Sequence, residues 1–134
     1  MNERVRLKLL KGTLFIGAAY YLIGAIAHYF GLTIFPWFDG RLYTPYQDTL
    51  ISLAAIVLAS FLFAIARDPI KNIDTLNVAI LGATIASVAS IAVIWKVDFV
   101  SLGAPAKQFQ TIIEGVLGFV FVGALLLLYP KRVK

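Results

Sequence analysis

Cysteine is absent from this chain, and Met and His occur once each. Without cysteine there is no disulfide, no thiolate metal site, no iron–sulfur cluster and no covalently attached c-type haem. A single His cannot supply both axial ligands of a bis-histidine haem within one chain. Charge is scarce too: charged residues fill 14% of the 134 positions, against about 25% in ordinary soluble domains. What is abundant is apolar, with 60% hydrophobic residues and a mean hydropathy of +0.88. A short chain folded in water keeps too much surface per volume to hide that much. Disorder requires low hydrophobicity. Both classes are excluded, and an integral membrane domain remains. The shortage of Cys and Met beside abundant Ile, Ala and Val points toward a thermophilic source, although membrane composition produces the same bias.

Four apolar runs stand out, at about 13–34, 47–66, 76–95 and 109–129. Each is near the ~20 residues a helix needs to cross a bilayer. None shows the period-2 alternation of a β-barrel strand. The expected fold is therefore all-α: one polytopic domain over 1–134, a bundle of four transmembrane helices. Connectors are short and leave no room for a soluble domain. Thr44-Pro45-Tyr46-Gln47 reads as a capping box with Pro at the first helical position. Asp74 reads as the N-cap of the third helix. Residues 1–11 are basic, and Ala25-Ile26-Ala27 has the small-x-small form of a cleavage site. The apolar run continues past Ala27 to Ile34, so a retained helix is expected.

Lysine and arginine counts set the expected orientation. With four spans, the N-terminus, the middle loop and the C-terminus share one side. That side holds Arg4, Arg6, Lys8, Lys11, Arg67, Lys71, Lys131, Arg132 and Lys134; the other holds Arg41, Lys96 and Lys107. Nine against three places both termini in the cytoplasm, in a plasma or inner membrane. Trp37, Trp95, Phe38, Tyr43 and Tyr46 are expected to form an aromatic belt at the outer interface. The net charge of +5 then reflects topology and contact with membrane lipids, and nucleic acid is not an expected partner. This layout resembles that of several small bacterial and archaeal membrane families, the DoxX-like group among them. The likeness is one of layout, and it carries over no residue and no activity.

Polar residues are placed unevenly. Gly17, Tyr21, Gly24, His28 and Gly31 fall on one stripe of the first helix, the kind of small-residue stripe on which membrane helices pack. Asp48, Ser52, Ala55 and Ala59 share a face of the second. The third carries Gly82, Ala83, Ala86, Ser87, Ala89 and Ser90. In the fourth, Glu114 has Gly115 beside it and Gly118 one turn below. His28 is expected about six residues inside the outer end of its helix, and Glu114 about five, or roughly 8–9 Å each. The inner half is almost purely apolar, with Phe61, Phe63 and Leu125 to Leu128. Such asymmetry suggests a polar pocket opening outward or into the outer leaflet. Trp37-x-Asp39 and Trp95-x-x-Asp98, each leading into an even-numbered helix, hint at two similar hairpins. Shared loop chemistry gives the same pattern.

Each polar residue has a structural reading beside a functional one. An acid within a span is costly, so Glu114 is the sharpest candidate for ligand binding or proton carriage. The plain alternative is a hydrogen bond to a neighbouring helix. His28 is a candidate proton partner of Glu114, or a satisfied interhelical contact. Asp48 fits the dipole at a helix N-terminus, where the membrane edge would keep it wet. Ser52 and Tyr21 complete the candidate set; Tyr20, Tyr21 and Tyr29 read as packing or belt residues, with the walls of a pocket for a flat ligand such as a quinone as the alternative. Asp39-Gly40 reads as a turn. A metal site from His28, Asp48 and Glu114 lacks any spaced motif, so neither metal nor cofactor is expected. No nucleophile motif and no phosphate loop is present, which points away from an enzyme and names no catalytic residue. Three functions follow. The first is an accessory or assembly subunit of a membrane complex, in contact with other membrane subunits or with further copies of itself. The second is an outer-leaflet binding protein for a lipid, quinone or other amphipathic small molecule. The third is a proton-coupled transporter acting as a dimer.

Overall fold

A computed structural model describes residues 2–130. It is all-helical: α1 (Glu3–Phe30), α2 (Pro45–Arg67), α3 (Ile73–Val93) and α4 (Ala106–Leu127), with a 3-10 turn at Gly40–Leu42. All four helices are long and apolar enough to cross a membrane. α1 and α2 pair along their length, and so do α3 and α4. These two hairpins meet through thinner contacts, α1 with α4 and α2 with α3. One end of the bundle carries the two longer connections, 31–44 and 94–105, and is called here the two-loop end. The terminal end carries the start of α1, the short α2–α3 turn and the end of α4. Lys131, Arg132 and Lys134, which contribute to the charge count, lie outside the described residues.

Helix ends depart from the apolar runs for local reasons. α1 begins ten residues before Thr13. The Asn2 side chain accepts the Arg4 N–H, and Glu3 pairs with Arg6 at 2.7 Å. Both satisfy a helix start that hydropathy does not register. The same helix stops at Phe30 rather than Ile34. Gly31 takes a left-handed φ of +62° and turns its N–H back onto Ala27 and His28, a conformation that costs glycine least. Thr44 does precede α2 with Pro45 at the first position, but its side chain makes no capping bond. Asp48 accepts the Thr44 N–H instead, because Asp48 is turned into the bundle while Gln47 is exposed. Asn72, not Asp74, stands at the N-cap position of α3, and its side chain makes no capping bond. Its amide donates to the Asp68 carbonyl, which closes the turn from α2.

The core lies toward the terminal end, where Leu10, Leu14, Leu62, Ile65, Leu76 and Leu125 are buried together. Arg6 is an exception to the apolar character expected of this half, with 6% exposure. It stands four residues before Leu10 on the buried stripe of α1, a position that exists only because the helix starts early. Lys11 donates to the Arg67 carbonyl at 2.9 Å, and Tyr129 to the Asn77 side chain at 2.7 Å. Between α3 and α4 the contact is steric. A Cβ on Gly115 would stand 2.5 Å from Ile91 Cδ1, and one on Gly118 would overlap the Ser87 hydroxyl. Small residues there let the two backbones approach closely.

Candidate functional site

Toward the two-loop end, two polar contacts fix the register of α1 against α2. The Ser52 hydroxyl donates to the Ala25 carbonyl at 2.9 Å. One turn nearer the two-loop end, His28 Nδ1 meets Asp48 Oδ1 at 2.6 Å. Asp48 uses its other oxygen for the Thr44 N–H. It is 4% exposed, so it is not the wet, membrane-edge carboxylate that a first-turn position suggests. Both of its oxygens are engaged, as a buried carboxylate requires. With Nδ1 on Asp48, the imidazole is oriented, and Nε2 is the ring nitrogen left for another partner.

The 31–44 connection folds back over this pair. A short antiparallel bridge joins Ile34 and Phe38. Phe38 is buried, its ring centroid 4.5 Å from that of His28. Trp37 reaches down beside α1, 3.5 Å from where a Gly24 Cβ would be, with its centroid 5.4 Å from Tyr20. Trp37 and Phe38 are therefore turned inward and do not stand in a belt, whereas Trp95, Tyr43 and Tyr46 are exposed. Tyr20 packs edge-on against Tyr21. The connection is held by Asp39, which accepts from the Arg41 backbone and pairs with its guanidinium at 2.7 Å. That guanidinium holds the Asp39 carboxyl below its ordinary pKa of 3.8. Arg41 also reaches the Gly103 carbonyl at 3.4 Å, tying one loop to the other. Gly40 passes so close to the Gly31 carbonyl that a Cβ would stand 2.6 Å from it, so the crossing needs glycine.

Glu114 lies eight residues inside α4, or about 12 Å along its axis, because the helix begins at Ala106. Its partner is Lys107, at 3.4 Å and on the same face two turns earlier. His28, by contrast, sits in the last turn of α1. Each of the two therefore has a polar partner other than its fellow. They nonetheless line one cavity of about 290 Å³ between the hairpins, with Tyr20, Tyr21, Trp37 and Leu58 among its walls.

Of the sequence candidates, the fold brings His28, Glu114 and Tyr21 to this cavity. Asp48 stands behind His28 as its orienting partner, and Ser52 is a helix–helix contact. Tyr20 and Trp37 join the walls from a packing position and a loop. Lys107 enters as the partner of Glu114, and the seven-residue spacing that aligns them is visible in the sequence. No spacing rule reveals Trp37, which depends on how a loop folds. Among the described residues, no three His, Asp or Glu side chains come together as a metal site. The cavity offers an imidazole nitrogen, a carboxyl group and two phenols over aromatic and aliphatic walls. Such a surface can hydrogen-bond a small polar group and pack a ring beside it. No protein-family model, no curated protein and no solved structure matches this chain.

Proposed function

We propose that this is a multi-pass membrane protein that binds an amphipathic small molecule, such as a lipid or a quinone, in the cavity at its two-loop end. The excess of Lys and Arg at the terminal end supports cytoplasmic termini in a plasma or inner membrane. In that orientation the cavity lies in the outer half of the bilayer. One observation carries the reading: His28 and Glu114, from different hairpins, face one space of about 290 Å³ walled by Tyr20, Tyr21 and Trp37. Ionisable groups at such depth mark functional sites by default. Native mass spectrometry of the untagged protein, gently extracted from its own membrane, tests it. One defined small molecule is expected to ride on the protein and to be lost in Glu114→Gln.

An accessory-subunit role is the second reading, and α3 favours it. Only Leu76 and Ser87 of its 21 residues are buried, which leaves most of the helix for another chain to cover. Partner chains in fixed ratio, with no bound small molecule, would decide for the subunit. Proton-coupled transport has weaker support, because the cleft toward the terminal end is lined by apolar residues and Thr75 alone carries a hydroxyl there apart from Tyr21.

A further inference from the structure

A second cavity, of about 310 Å³, runs between α2 and α3 toward the terminal end, walled by Leu58, Phe61, Val78, Gly82, Ala86 and Phe121 among others. Tyr21 and Leu58 line both cavities, so the two spaces adjoin at these side chains. Each alone sits at the floor of the about 300–1,000 Å³ usual for small-molecule sites, and joined they fall well inside it. We propose that the ligand has a neutral polar head beside His28 and Glu114, and one long apolar tail lodged between α2 and α3. This rests on the reading of the first cavity as a binding site, and it adds the shape and charge of what binds.

Four observations bear on that shape and charge. The combined cleft extends along α2 from Ile51 to Ile65, about 21 Å at the helical rise of 1.5 Å per residue. Half of a hydrocarbon core is about 15 Å thick, so the tail passes the midplane. The lower space lies mainly along one helix pair and holds about 310 Å³, a volume that suits one chain. Polar groups in the head space already have partners: His28 is on Asp48, and Glu114 is on Lys107. An anionic head would find no free cation among the lining residues, and a cationic head would compete with Lys107. A neutral carbonyl or hydroxyl head needs neither exchange. The entrance is lateral, since Phe61, Val78 and Gly82 are exposed on the outside of the helix pair.

Gly82 supplies the test. A Cβ there meets nothing within 4 Å, so Gly82→Leu fills the tail lane without disturbing the backbone. Trp37 lines the head space while Trp95 is 79% exposed, so Trp95→Phe leaves Trp37 as the sole indole reporter. The probes are a methylated benzoquinone without a side chain and the same ring bearing a decyl chain. Each is titrated into the Trp95→Phe protein in nanodiscs while Trp37 fluorescence quenching is read. The decyl probe is expected to saturate at about tenfold lower concentration than the tail-less one. Gly82→Leu should erase most of that gap and leave the tail-less midpoint unchanged, and Ala86→Leu should do the same. An undiminished gap in both variants overturns the tail assignment while leaving the binding site standing. Loss of the tail-less probe in both variants overturns the division into head and tail. Absence of saturable quenching by either probe in the unaltered cleft overturns the binding site itself.

Discussion

Hairpin α1–α2 is pinned by polar side chains at three levels, whereas hairpin α3–α4 is fitted mainly by shape. In the first, Lys11 holds the Arg67 carbonyl, Ser52 holds the Ala25 carbonyl, and His28 holds Asp48. In the second, Gly115 and Gly118 accept Ile91 and Ser87, and Tyr129 reaches Asn77 at one end. Polar contacts fix a register, because each has one partner at one height. Glycine notches fix how closely the two backbones approach. The contrast places the rigid histidine on the pinned hairpin and the carboxyl facing it on the hairpin held by shape.

Breaking the polar contact with the most partners should have the largest effect. Asp48→Ala leaves His28 and the Thr44 N–H without their partner, and loss of one member of a buried pair costs about 3 kcal/mol. Thermal unfolding in detergent should show this as a marked fall in midpoint. Shape should rank next. Gly118→Val forces a branched side chain onto Ser87, an overpacking cost of about 2 kcal/mol. Adding Ser87→Gly should recover most of it in the same assay, which a register contact would not permit. Ser52→Ala should matter far less, about 0.6 kcal/mol, since single hydrogen bonds between apolar helices are worth little on average. Dodecyl sulfate titration resolves a difference of that size. The smallest effect concerns acid. Arg41 holds Asp39 below 3.8. A depressed carboxyl contributes above its unfolded value, and the contribution fades as pH falls through the lower folded one. Pepsin should therefore cut the 31–44 connection faster as pH drops below 3.8, with Arg41→Ala cut fast throughout.

Sequence alone reached the four helices, since hydropathy reports long apolar runs directly. It missed where α1 starts, because a charged first turn stabilised by Asn2 and Glu3 carries no apolar signal. His28, Glu114 and Tyr21 were legible as candidates because polar groups are rare in such runs. Their partners were not. His28 with Asp48 follows from how two antiparallel helices register across a fourteen-residue connection, residues 31–44, which itself folds through an Ile34–Phe38 bridge. Glu114 with Lys107 was within reach, because a spacing of seven aligns side chains on one helix. Lys107 instead entered only the charge count that orients the chain. Trp37 looked like an interfacial aromatic, as its neighbours do, and only the folded loop turns it inward.

The thin seam between the hairpins also has a consequence for biogenesis. Chains emerge N-terminus first, and early units fold before later ones are made. Hairpin α1–α2 contains both members of each of its polar contacts, so it can close while the rest is still on the ribosome. Glu114 arrives only with the fourth helix. The cavity thus comes into being only after the first hairpin can close, and a chain ending before α4 would retain a seated histidine with nothing yet opposite it.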